Sequence, residues 1–171
     1  MEIKKENMKN EVKEVEIEKL NKLKASLETI EKKDLQILFV VSSTPNPAAS
    51  IYEIYYHANV MKDIGYKVKM LTDTNDYEMP EWIESSLLDL EHDSLEKTKL
   101  TVGPEDILVI PEVFTHVMER TKNLPCIRVG LLQSIDYMYN SLIPGTSWAN
   151  FSIKNVLTTS ESLKGLIEDI Y

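Results

Sequence analysis

Glu112 closes the apolar run Ile107-Leu108-Val109-Ile110-Pro111. A carboxylate at the end of a buried run can accept hydrogen bonds from sugar hydroxyls. It can equally cap the helix that follows. Gln133 and Ser134 close a second run, Ile127 to Leu132. Gln133 can bond a hydroxyl but cannot act as acid or base at neutral pH. Ser43, Thr44 and Asn46 follow a third run, Leu35 to Val41, and lead into a helix whose amides can meet an anion such as a phosphate. The plainer use of that loop is a strand-to-helix connection. Tyr137 stands with Tyr139, Trp148 and Phe151 among Asn140, Ser141, Pro144 and Gly145. Such rings can stack on a sugar face or contact a partner domain, or they can pack locally.

Other chemistries find less support. His57, His92 and His116 fall in no metal-ligand spacing, so no metal is expected. His57 reads as the polar side of a helix. His116 faces either solvent or the cleft. No Ser-His-Asp set assembles, and the catalytic residues stay unassigned. Cys126, the single cysteine, sits in Pro125-Cys126-Ile127-Arg128-Val129 and reads as core filler. The fingerprint G-x-G-x-x-G and the phosphate-binding P-loop pattern are both absent.

The elements that must position these residues follow from pattern. Leu35 to Val41 is nearly continuous in apolar residues, as strands buried on both faces are. Asn46-Pro47 predicts a helix start, with Asn46 as N-cap. Ile51, Ile54, Tyr55, Ala58, Met61 and Ile64 recur at helical spacing, and Gly65 is the expected C-terminal stop. Tyr66 to Thr72 is a second strand. Residues 80–100 predict a short helix and irregular connections. Further strands are expected at Ile107–Pro111, Ile127–Leu132 and Asn155–Thr159, and helices at Val113–Lys122 and Glu161–Ile170, the last capped by Ser160. The alternation predicts a three-layer, Rossmann-like α/β domain over residues 34–171 with a mostly parallel sheet. In such sheets ligands bind at the carboxyl ends of the strands. Glu112, Gln133 and Ser134 should therefore share one edge, bordered by Tyr137 and Trp148.

Residues 1–33 are a different material, dense in Lys and Glu, without Gly, Pro or aromatic residues. Leu20, Leu23, Leu27 and Ile30 make an apolar stripe on a helix. The stripe either packs on the domain or pairs with another chain, and self-association would run through residues 8–30. The whole chain of 171 residues carries a net charge of −9. An acidic chain with no basic patch after residue 35 makes nucleic acid an unexpected partner. No apolar run approaches the ~18–20 residues of a membrane span, and the N-terminus lacks a signal-peptide pattern. The expected compartment is the cytoplasm.

Three segments resemble a known family. Ile37-Leu38-Phe39-Val40-Val41, a loop and long helix, and then Met61 through Gly65-Tyr66-Lys67-Val68 to Thr72 are similar to the opening of retaining GT-B glycosyltransferases of the family-4 type. Ile107 to Glu112 is similar to their mid-domain strand. Val156-Leu157-Thr158-Thr159-Ser160-Glu161-Ser162-Leu163-Lys164 resembles the step that precedes their second domain. The resemblance covers residues 35–171. It implies an acceptor-binding N-terminal domain, a C-terminal domain that binds the nucleotide sugar, and chemistry in the cleft between them. That donor domain, with its Glu-x7-Glu-type motif, has no counterpart here. The resemblance therefore implies a carbohydrate acceptor as partner, no cofactor bound by this chain, and a nucleotide sugar as co-substrate of the full enzyme. The chain is expected to be a fragment or one half of a split enzyme, and to transfer no sugar alone. Two steps depart from the family. The first loop carries Pro45-Asn46-Pro47-Ala48 in place of glycines, and Gln133-Ser134 stands where many members have a histidine. Two other readings stand beside this one: a non-catalytic binding or assembly module that oligomerises through its N-terminal helix, and a stand-alone nucleotide- or effector-binding protein.

Overall fold

The computed structural model describes residues 35–43, 46–96 and 100–170. The helix expected in residues 1–33, the self-association surface at 8–30, and Thr44 lie outside the described residues. Among the described residues, six strands form one sheet: β1 (Gln36–Val41), β2 (Lys67–Thr72), β3 (Glu91–Ser94), β4 (Ile107–Pro111), β5 (Ile127–Leu132) and β6 (Asn155–Thr158). Their order is β3-β2-β1-β4-β5-β6, and every pairing is parallel. The sheet is flanked by helices, which gives a Rossmann-like three-layer fold. The central strands are the near-continuous apolar runs, since a central parallel strand has helices or loops on both faces. Val40, Val41, Leu108 and Ile110 are fully enclosed.

Among the described residues, four α-helices follow in chain order: α1 (Ala49–Asp63), α2 (Thr115–Arg120), α3 (Ile135–Ser141) and α4 (Glu161–Ile170). A 3-10 turn (Trp148–Phe151) precedes β6. α1 ends as its sequence predicts. Gly65, at φ 93°, donates its N–H to the carbonyl of Lys62 at 2.8 Å, and Tyr66 donates to Met61 at 3.1 Å. This is the paired Schellman stop, and the left-handed residue in it favours glycine. α4 begins as expected too, with Ser160 Oγ accepting the N–H of Leu163 at 3.2 Å.

The start of α1 differs from expectation. Its N-cap is Ala48, in extended conformation and without a side-chain cap, and Asn46 lies two residues before it. The first helical residue is Ala49, so Asn46 is too far from the helix to cap it. Residues 80–90 form turns in place of the expected short helix. They lead into β3, whose sequence Glu-His-Asp-Ser carries no apolar signal. It pairs only with β2 at the sheet edge, where polar residues are tolerated. α2 is shorter than expected, and α3 occupies part of the region read as an aromatic loop.

Two apolar clusters lie on opposite faces of the sheet. One gathers Leu38, Val40, Leu108, Ile110 and Leu132 with Met118, Met138, Trp148 and Ile167, from the helices and turn after β4, β5 and β6. Trp148 is fully buried. A Cβ on Gly130 would stand 2.7 Å from its ring, so the strand must carry glycine there. Arg128 is buried on this face and spends its guanidinium on the carbonyls of Met118, Phe151 and Ser152 at 2.9–3.1 Å. Cys126 is buried in the same cluster, and burial pushes its thiol up, away from the reactive thiolate. The other face gathers Phe39, Val41, Met70, Val109 and Leu131 with Ile54, Tyr55 and Ala58 of α1. Among the described residues, no helix is long and apolar enough to cross a membrane.

Candidate ligand pocket at the strand-order reversal

The chain reverses direction across the sheet between β1 and β4. The connections leaving these two strands go opposite ways, so their carboxyl ends part and leave a crevice. A pocket of about 170 Å³ sits there. β1 and the residue after it supply Val41 and Ser42, the end of β4 and the loop after it supply Pro111 to Phe114, α1 supplies Ser50, Ile51 and Ile54, and Gln133 and Tyr137 close the far side.

Glu112 organises the pocket. The residue is 1% exposed, and its carboxylate accepts the N–H of Ser134 at 3.0 Å and of Gln133 at 3.3 Å. Those amides open α3, where an anion is favoured. Its main chain holds the other end of the same helix, because Ser141 Oγ donates to the Glu112 carbonyl at 2.7 Å. Burial pushes the Glu112 carboxyl above its ordinary value, and the backbone N–H groups of Glu112 itself, Gln133 and Ser134 pull it part of the way back. A carboxylate has about four lone-pair positions, so two amides leave capacity for a ligand hydroxyl. Capping is thus the visible role of Glu112.

Gln133 bridges the crevice. Its Nε2 donates to the Ser50 carbonyl at 2.9 Å and to Glu53 Oε2 at 3.3 Å, tying the end of β5 to the first turns of α1. Tyr137, on α3, lines the pocket and is 54% exposed, so its ring is accessible at the rim.

The structure therefore brings Glu112, Gln133, Ser134 and Tyr137 to one edge. Ser43 is on the carboxyl edge but committed elsewhere. It is buried, its N–H donates to Asp73 Oδ1 at 2.8 Å, and its Oγ accepts from Thr74 at 2.6 Å. Asn46 is exposed and does not line the pocket. Trp148, expected at its border, packs in the core of the opposite face. His116 is exposed on α2 beside the ring of Phe114, and His57 is exposed on α1. Pattern reading missed Ser42, Ser50 and Phe114 as lining residues. Ser50 carried a usable signal, since it lies one position before Ile51 at the head of the amphipathic helix.

A second polar assembly was also missed. Tyr55 Oη, Tyr77 Oη and His92 Nε2 stand 3.1 Å from one another. His92 Nδ1 is 2.8 Å from the Leu90 carbonyl, which assigns it the proton and leaves Nε2 as acceptor. Burial lowers the His92 pKa and drives the Tyr55 phenol well above its ordinary value, so all three stay neutral near pH 7. The assembly anchors α1, one wall of the pocket, to the β2–β3 edge. Among the described residues, no group of three or more His, Cys, Asp or Glu side chains is arranged to hold a metal ion.

Compared with protein-family models, curated proteins and solved structures, the chain matches none.

Proposed function

We propose that the chain is the acceptor-binding half of a glycosyltransferase, and that the pocket between the ends of β1 and β4 holds hydroxyl groups of a saccharide. One observation carries this reading: a carboxylate, a side-chain amide, two serines and an open tyrosine ring converge on one small hollow. The lining contains no Lys or Arg and one buried carboxylate, a combination that repels phosphate and suits a neutral polyhydroxyl ligand. The first loop lacks the glycines that let a backbone approach a diphosphate. The volume is below the roughly 300–1,000 Å³ of sites that enclose a whole drug-sized ligand. It suits one end of a sugar, with the rest facing a second domain. The order of strand and helix motifs that resemble family-4 GT-B enzymes supports the same division of labour. Half a cleft cannot hold donor and acceptor in reacting geometry, so the chain alone releases no nucleotide from nucleotide sugars.

Saturation-transfer NMR with methyl glycosides of glucose, galactose, mannose and N-acetylglucosamine tests the reading. At least one should bind, and Gln133→Ala should weaken it by about 1–3 kcal/mol, the worth of a buried hydrogen bond. If no glycoside binds, or if Gln133→Ala binds like the parent, the reading fails. A second reading, a non-catalytic binding or assembly module, is favoured by a different observation: a wide apolar groove over β5 and β6. Such a module would leave the pocket empty with every sugar.

A further inference from the structure

The polar side chains of the pocket at the strand-order reversal are unequal in what they offer a ligand. Gln133 is the clearest case. A side-chain amide has two hydrogens and one oxygen. Both hydrogens are committed to α1, one to the Ser50 carbonyl at 2.9 Å and one to Glu53 Oε2 at 3.3 Å. These bonds fix which way the amide is turned and leave Oε1, an acceptor, as the atom Gln133 can present. Glu112 is of the same kind. Its Oε1 accepts the N–H of Ser134 and its Oε2 that of Gln133. Bonds of that type favour the ionised, acceptor-only form, and each oxygen keeps lone-pair capacity beyond them. The lining hydroxyls of Ser42 and Ser50 can donate as well as accept, so sugar oxygens are served too.

The charge balance runs the same way. The lining includes one carboxylate and no Lys, Arg or His. A second carboxylate, that of the exposed Glu53, stands at the rim within hydrogen-bond reach of Gln133. Among the described residues, no cation pairs with either carboxylate. Glu112 is enclosed, so its charge acts through a low-dielectric surround and reaches the pocket without direct contact. A buried carboxylate without a cationic partner costs free energy, which a cation on the ligand offsets. The accessible ring of Tyr137 adds a further attraction, since a cation over an aromatic face is favoured. A neutral saccharide fits this balance, and one that bears an ammonium group fits it better.

We propose that the saccharide held in this pocket is an amino sugar with a free, protonated amine. The ammonium donates to Gln133 Oε1 within the field of Glu112 and Glu53, and hydroxyls of the same ring meet Ser42 and Ser50. This inference rests on the saccharide reading of the pocket and narrows its ligand class. Amide chemical-shift titrations of the full chain at pH 6 test it. Methyl glucosaminide and methyl galactosaminide are compared with methyl glucoside, methyl galactoside and the two N-acetylated forms, in which a hydroxyl or a neutral amide replaces the ammonium. At least one free amine should bind about ten-fold more tightly than both its neutral relatives, the scale of a charge-assisted hydrogen bond. It should move the amides of Val113, Gln133, Ser134 and Tyr137. Glu53→Gln keeps an oxygen for Gln133 and removes an exposed charge. It should narrow the ratio of amine to neutral binding severalfold and leave the melting temperature unchanged. Equal binding of amine and neutral glycosides overturns the inference and leaves the saccharide reading standing. Tighter amine binding with shifts scattered over the acidic surface overturns it as well, as does a ratio that Glu53→Gln does not change. Binding of no glycoside, charged or neutral, removes the saccharide reading itself and this inference with it.

Discussion

Two hollows in this domain share a wall and differ in size and in the side chains that line them. α1 presents Ser50, Ile51 and Ile54 to the pocket between β1 and β4, and Glu53, Tyr56, His57 and Met61 to the sheet groove. The groove is several times larger, yet its floor is a plain apolar sheet face with polar groups only at its margins. The pocket is small, but a buried carboxylate and a bridging amide meet in it. Size therefore ranks the two in the opposite order from chemistry. A broad apolar surface suits packing against another apolar surface, because hydrophobic burial is non-directional and scales with area. Recognition of a small polar ligand needs a few fixed donors and acceptors, and those occur where the strand order reverses.

The sharpest way to break this contrast is at Glu112. Glu112→Ala removes the acceptor for two amides at the head of α3 and leaves a buried gap, so stability should fall by about 2–4 kcal/mol in urea unfolding. Leu157→Ala, in the groove, removes a half-exposed side chain and should cost less than half as much. Equal costs would mean that the polar pocket is no better organised than the apolar surface.

The shared wall gives the next effect, in pH. The His92 pKa is lowered in the folded protein by burial, relative to its ordinary 6.5. Above about 6.5 the ring is neutral both folded and unfolded, and the contribution is complete. As pH falls below that value the unfolded chain takes up the proton first, so stability is lost toward the lower native value. Urea midpoints at pH 7.5 and pH 5.5 should differ in that direction. Much of the difference should vanish in His92→Gln, which cannot titrate. A midpoint difference unchanged by that substitution removes His92 as the cause.

Smaller effects separate binding from folding. Gln133→Ala breaks the tie to Ser50 and should cost about 0.5–1.5 kcal/mol of stability. Tyr137→Ala removes an exposed ring and should change stability by less than about 0.5 kcal/mol. If the ring stacks on a sugar, the same substitution still weakens glycoside binding severalfold. A Tyr137→Ala protein that binds like the parent would confine recognition to the polar groups.

Much of this arrangement was legible in the residues. Glu112, Gln133 and Ser134 share an edge because each follows a long apolar run, and parallel strands put all such positions at one end. β1, β4 and β5 were legible for the same reason. What escaped notice had no pattern to show. β3 is four polar residues whose strand state comes from pairing with β2 at an open edge. α3 is seven residues whose two ends are both held by Glu112, through contacts long in sequence and invisible to a local reading. Trp148 read as a loop aromatic beside Tyr137, and only the missing side chain of Gly130 makes room for it in the core. Ser43 was correctly placed at a strand end, but its hydroxyl is taken by Thr74 across the adjoining loop. Asn46 was a reasonable cap by type, yet the helix starts at Ala49 with Ala48 as its N-cap. Position along a strand is encoded locally, whereas availability of a side chain depends on partners that arrive from elsewhere.

The central claim is that a saccharide enters the pocket and not the groove. Amide chemical-shift mapping on the full chain, with the methyl glycoside that binds best, tests it most directly. The account predicts that the amides of Val113, Gln133, Ser134 and Tyr137 move with a common saturation curve, while those of Val129, Leu131 and Leu157 stay still. Shifts centred on β5 and β6 of the groove, with Gln133 and Ser134 unmoved, would contradict it.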